Sequence, residues 1–139
     1  MSLARYGDLR VGANVGGATV AVRAIRGAIQ VDADEPDLIY QGVRDMLAAV
    51  LSHNELGQQD VISIFFTATT DLTSCFPAAG AREIGFSDVP LLCASEIAVL
   101  GALPRTLRLL AHVETPLARS EIRHAFLGAA AALRDDLQQ

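Results

Sequence analysis

From Val31 to Gly57 the sequence reads VDADEPDLIYQGVRDMLAAVLSHNELG, one long stretch of helical periodicity among several β-rich runs. Leu38, Ile39, Val43, Met46, Leu47, Val50 and Leu51 recur at helical spacing and form one apolar stripe. Asp34 is the candidate N-cap, Pro36 suits the first turn, acidic residues cluster there, and Gly57 ends the helix. A single helix can cover only one face of a sheet. The other face must meet solvent or another subunit.

The sheet is read from alternation and β-propensity. RTLRLLAHVET predicts a strand over 105–114, with Leu107, Leu109, Ala111 and Val113 on one face and Thr106, Arg108, Leu110, His112 and Glu114 on the other. DVISIFFTAT predicts a buried strand over 61–68, VPLLCA another over 89–94, and VAVRAIRGAI one over 20–29. TTDLTSCFP reads as a loop, with Pro77 opening a short helical turn through AAGAREIG, and ASEIAVLGALP as an irregular connection. Residues 1–19, rich in glycine towards their end, read as a flexible extension, and 20–139 as one domain. Together these make a small α+β domain. At 51% apolar residues, the uncovered sheet face is expected to pack against copies of the chain in a closed ring.

Composition narrows the function. The net charge of -5 argues against nucleic acid as a partner. No apolar run approaches the length of a membrane span, and the first residues lack a signal-type pattern, so a cytoplasmic protein is expected. Cys75 and Cys93 are too few for a disulfide framework. With His53, His112 and His124 they form no metal-ligand pattern, and VGANVGGA is not followed by the helix that a phosphate loop needs. All eleven basic residues are arginine, so any anion site must be built from planar guanidinium groups. VAVRAIRGA carries two of them. Arg23 and Arg26, three apart, cannot share a strand face. With Arg23 towards solvent, Arg26 falls with Val20, Val22 and Ala24 on the better-packed side, an odd place for five donors and no acceptor.

Taken alone, these residues have ordinary readings. Arg26 would pair with a core carboxylate, Arg108 would belong to a polar strand face, Glu96 would be a loop carboxylate and Cys93 a small core hydrophobe. Their order suggests more. VRAIRGA, ISIFFTATTDLTSCFPAAGAREIG, VPLLCASEI, LPRTLRLL, EIRHAFL and LRDDL, spread from about residue 22 to residue 137, together resemble the AroH-type chorismate mutases. The resemblance implies a mixed five-stranded sheet packed against one long helix, assembling as a trimeric pseudo-α/β barrel with active sites between subunits. It also implies that 122–127, EIRHAFL, is extended although its alanine-rich continuation favours helix.

The implied activity is the [3,3] rearrangement of chorismate to prephenate in phenylalanine and tyrosine biosynthesis, with chorismate as the partner molecule and no cofactor or metal. Arg26 corresponds to the arginine that grips the side-chain carboxylate. Arg108 corresponds to the one that reaches a carboxylate and the ether oxygen. Glu96 corresponds to the acceptor for the ring hydroxyl, and Cys93 to a contact near it. Phe76, Ala78 and Arg82 correspond to a pocket wall and mouth, Leu91 and Leu92 to the strand lining the ring, and Leu133 and Arg134 to the closing tail. The chain departs from the family at Phe126, where tyrosine is common, and at Ala79, Leu92 and Asp135, where relatives carry lysine, threonine and proline. The Phe126 change and the N-terminal extension leave room for a specialised mutase acting on isochorismate or a related dianion. A non-catalytic trimer that binds a small carboxylate metabolite is the reading from another class.

Overall fold

The computed structural model describes residues 14–15 and 18–133. Its centre is the strand whose alternation is most regular. Thr106–Thr115 (β6) lies in the middle of a five-stranded sheet, and every second residue, Leu107, Leu109, Ala111 and Val113, is buried. Its neighbours are Ala21–Gln30 (β3) and Val61–Ala68 (β4), both antiparallel to it. Leu91–Ser95 (β5) adds parallel to β4, and Ala125–Leu127 (β7) adds parallel to β3. The order across the sheet is β5-β4-β6-β3-β7. Asn14–Val15 (β1) and Ala18–Thr19 (β2) pair as a separate two-stranded piece, and the remaining residues of the 1–19 segment lie outside the described residues.

The predicted helix is present as Pro36–His53 (α1), with Pro36 in the first turn. Ile39, Val43, Met46, Leu47 and Val50 meet Ile25, Ile64, Phe66 and the buried row of β6 in one core. Two expectations about its ends are corrected. Asp34 is not the cap. Glu35 holds the N-cap position without a side-chain bond, while the Asp34 carboxylate accepts from Thr73 N, Thr73 Oγ1 and Ser74 N, each at 3.0 Å. The helix stops at His53, before Gly57, because Asn54 leaves the helical conformation and turns its buried amide onto another segment. Asn54 Nδ2 donates to Val50 O and Arg123 O, both at 2.8 Å, and Oδ1 accepts from Arg123 N at 2.7 Å.

The expectation of one long helix is also revised. Pro77–Glu83 (α2) is a second, seven-residue helix begun by proline, and it buries Ala78 and Ala81. At Gly80 a Cβ would meet Tyr40 Cα at 3.2 Å and Val43 Cβ at 3.3 Å, so the two helices cross with no room for a side chain. The strand expected over 122–127 is shorter. Only 125–127 pair with β3, and the alanines that follow form a tight 3-10 turn over Gly128–Ala132. The run 61–68 is buried on one side only, because both helices lie on that side of the sheet. Phe65 on the other side stays 43% exposed, with Val22 at 56% and Leu92 at 57%. No helix among the described residues is long and apolar enough to cross a membrane.

Asn54 ties the end of α1 to the segment that leads into β7. Replacing this buried side chain by Ala removes both of its bonds to the Arg123 backbone and is expected to cost about 1–3 kcal/mol. Urea unfolding of Asn54→Ala beside the parent chain measures this.

Candidate active site

Pairing registers place the charged residues in a row. On β6, Arg108 stands opposite Thr67 of β4 on one side and Ala28 of β3 on the other. Ala28 in turn stands opposite Phe126 of β7. On β5 the outward positions are Leu92 and Ala94, opposite Phe65 and Thr67. Just beyond the strand, Glu96 N donates to Ala68 O at 2.9 Å and brings the Glu96 side chain into the same row. All these residues lie on the face that carries no helix.

Glu96 and Arg108 meet there. Arg108 Nε lies 3.1 Å from Glu96 Oε2, with the side chains 31% and 15% exposed respectively. That separation makes an ion pair. It lacks the alignment of a hydrogen bond, and Arg108 Nε, although buried, donates to no acceptor among the described residues. The same Glu96 oxygen accepts a well-formed bond from Thr67 Oγ1 at 2.7 Å. The carboxylate is thus fixed by a neutral hydroxyl, and the guanidinium beside it keeps donor capacity.

Arg26 stands opposite Leu110, one step along the same face from Arg108. Diagonal neighbours of this kind lie roughly 7–8 Å apart at the backbone. The expectation that Arg26 shares the better-packed side is corrected here. Val22 and Ala24 are exposed, so Arg26 lies on the open face, and Arg23 instead donates from Nε to Leu117 O at 3.1 Å. Arg26 Cζ sits 5.6 Å from the centre of the Phe126 ring. The ring face attracts the cation without a hydroxyl, an interaction of about 0.5–1 kcal/mol where water has access. The Arg26 backbone N–H donates to His124 Nδ1 at 3.0 Å, which holds this part of β3 to the chain just before β7. A cleft of about 470 Å³ opens beside Arg26, lined also by Leu110, His112 and Arg119.

The other expected site residues form a second group. Cys93 stands opposite Phe66, on the helix side of the sheet, and its Sγ accepts from Ala78 N at 3.4 Å where α2 begins. Phe76 is exposed beside it, and Cys75, Phe76 and Cys93 line a cleft of about 440 Å³. Arg82 is exposed in the last turn of α2. Leu91 faces inwards opposite Ile64, whereas Leu92 faces outwards. Leu133 follows the 3-10 turn and is half-buried, and Arg134 lies outside the described residues. Within one chain the structure therefore unites Arg108, Glu96, Arg26 and Phe126, and keeps Cys93, Ala78, Phe76 and Arg82 apart from them.

The buried-strand pattern of 61–68 does not reveal Thr67, whose hydroxyl reaches Glu96 from the open face. The signal is the polar alternation Ser63, Thr67 within that run. Nor does the sequence reveal the role of Asp34, which anchors the loop leading to Cys75 and Phe76.

A family model described as chorismate mutase type I matches residues 22–137. The chain belongs to the type I chorismate mutases. The chorismate mutase AroH of Thermus thermophilus is 45% identical over 118 residues, covering 84% of this chain and 97% of its own length. That of Bacillus subtilis is 35% identical over 117 residues, covering 84% and 92%. A solved structure of a chorismate mutase from Clostridium thermocellum superposes with a TM-score of 0.76 at 38% identity, covering 78% of this chain and 96% of its own. The five-stranded sheet with two helices is thus the architecture of a known member of the family.

The loop from Thr73 to Phe76 is held electrostatically. Burial alone would raise the Asp34 pKa and is the largest single influence, but the hydrogen bonds from Ser74 and Thr73 together outweigh it and hold the carboxyl below its ordinary value. A lowered folded value stabilises the loop at every pH above the unfolded value, and the effect fades as pH falls through the folded one. At neutral pH the tether is complete. Asp34→Ala is expected to speed amide exchange at Thr73 and Ser74 at neutral pH, while Asp34→Asn, which keeps an acceptor oxygen, stays closer to the parent. Hydrogen-exchange NMR reads both.

Proposed function

We propose that this chain isomerises chorismate to prephenate, the step that feeds phenylalanine and tyrosine synthesis, in clefts completed by neighbouring copies in a trimer. Family membership supports the activity. The observation that carries the division of work is the Arg108–Glu96 pair on the open sheet face, with a buried Nε that makes no hydrogen bond among the described residues.

The rearrangement breaks an ether C–O bond and forms a C–C bond in one cyclic step, with no proton transferred and no covalent intermediate. Two things can lower its barrier. The substrate must be held with the reacting carbons close together, and a cation must meet the ether oxygen as negative charge develops on it. Arg108 supplies that cation, and its planar fork also reaches a carboxylate. Arg26, steadied by the Phe126 ring, takes the side-chain carboxylate. Glu96 accepts from the ring hydroxyl through the oxygen that Thr67 does not occupy. None of these groups changes protonation state during the step.

The second group completes the cleft from another copy. Cys93, Ala78, Phe76 and Arg82 lie at the β5 edge and cannot face Arg108 of their own chain, yet an adjoining subunit brings such an edge against the open face. The exposed Val22, Phe65 and Leu92 on that face, with Ile97 and Leu100 in the loop after Glu96, supply apolar surface for the contact. Leu91, on the same side of β5 as Cys93, then backs the ring from the strand, and Leu133 closes over it.

Loss of chorismate absorbance measures the reaction. Arg108→Ala is expected to lower kcat by about 10²–10³, the effect of removing one preorganised donor to a developing oxyanion. Arg108→Lys should also be slow, since an ammonium cannot serve two oxygens with one planar fork. A loss below about threefold, under roughly 0.7 kcal/mol, removes Arg108 from the central role.

The shared cleft has its own test. Arg108→Ala and Arg82→Ala, each impaired alone, are unfolded and refolded together. With the two residues drawn from different copies, random trimers restore roughly a quarter of intact clefts. Activity no higher than the average of the separate variants sinks the shared cleft.

A further inference from the structure

We infer that Thr67 is a positioning residue for the reaction, setting the distance between Glu96 and Arg108 so that the guanidinium stays available to substrate. The inference rests on the mutase reading and extends it to a residue that does not itself touch the reacting atoms.

Three observations on neighbouring strands carry it. Thr67 stands directly opposite Arg108 in the β4–β6 register, so its side chain rises beside the guanidinium. Its hydroxyl donates to Glu96 Oε2 at 2.7 Å, the hydrogen bond that holds that carboxylate among the described residues. Arg108 Nε approaches the same oxygen at 3.1 Å but out of line, and among the described residues it stays without an acceptor although buried. A carboxylate next to a guanidinium ordinarily turns to make the aligned, charge-assisted bond, which is about twice as strong as a neutral one. Here the hydroxyl occupies the oxygen that would turn. Two consequences follow for the chemistry. Glu96 keeps its other oxygen for the ring hydroxyl, and Arg108 is not consumed by its own counter-ion before substrate arrives.

Without the Thr67 hydroxyl, Glu96 swings into line with Arg108 Nε and takes the donor that the ether oxygen needs. Valine has the shape of threonine and suits a strand, so Thr67→Val retains the fold while deleting only that bond. Thr67→Val is expected to lower kcat on the order of 10²-fold, the scale of an ångström-sized misplacement of a reacting group. KM should move less, and Thr67→Ser, which keeps the hydroxyl, should remain near the parent. In a Glu96→Gln background Thr67→Val should add little, because the two residues act through one bond. A merely structural threonine would lower the melting temperature and leave kcat unchanged, or act additively with Glu96→Gln. Either result overturns the inference.

A second readout does not depend on turnover. The Arg108 Nε–H resonance in a 1H–15N spectrum should move downfield in Thr67→Val, as the ion pair becomes an aligned hydrogen bond, and stay in place in Thr67→Ser. An unmoved resonance in Thr67→Val overturns the positioning role. A parent chain that fails to convert chorismate sinks the mutase reading alone, and the resonance still decides the geometry.

Discussion

A backbone ladder fixes where a side chain rises from a sheet far more tightly than a loop can. In this protein that constraint acts on a single row. Glu96, Thr67, Arg108, Ala28 and Phe126 cross the sheet from β5 to β7 on one face, each set by the register of its neighbour. The alternation that sinks Leu107 and Leu109 into the core is what raises Arg108 between them. Core and site are therefore two faces of one strand. A one-residue slip of β6 would exchange them and lose both together.

The charges on that row suit a reaction needing a fixed electric field and no proton shuttle. Arginine stays protonated at every working pH, so two guanidinium groups on strands form a cationic surface that does not titrate away. Glu96 offsets part of that charge, and its off-axis contact with Arg108 leaves the pair electrostatically matched but directionally unfinished. Covering the face raises the strength of every interaction on it, because water is replaced by a medium of lower effective dielectric. The same covering would be costly for an unpaired arginine, and Glu96 lowers that cost while no ligand is bound.

Much of this was legible in the residues. The long helix, the strand 61–68 and the alternating strand around Arg108 follow from periodicity, and their edges fall within a few residues of the expected ones. The uncovered sheet face was also legible, from one long helix set against many apolar strands. What did not show was which face Arg26 takes. Val20, Val22 and Ala24 look like core residues, but the side on which α1 packs is chosen by Ile25 and its partners on β4 and β6. Asp34 misled for a similar reason. A carboxylate before a helix has the chemistry of a cap, and only the distant arrival of Thr73 and Ser74 gives it better donors. Helix propensity in the tail likewise yielded to pairing of three residues with β3. Local pattern identified elements well, and failed where a long-range partner competed for the same group.

Charge over longer range completes the picture. A chain with a formal charge of -5 is poorly suited, as a whole, to attract a dianion. At physiological ionic strength, however, exposed charges are screened beyond about 8 Å. In the row around Arg108 two guanidinium groups, Arg108 and Arg26, meet the carboxylate Glu96, and Arg119 lines the cleft beside Arg26, whereas Glu114 stands farther along the same face opposite Val22, so the local sign is positive while the global sign is not. The guanidinium over Phe126 adds to this without adding a competing acceptor. A tyrosine at that position brings a hydroxyl able to donate to a carboxylate, whereas phenylalanine presents only its ring face, which orients Arg26. In the proposed function, orientation of the cation then carries the task that a second donor would share.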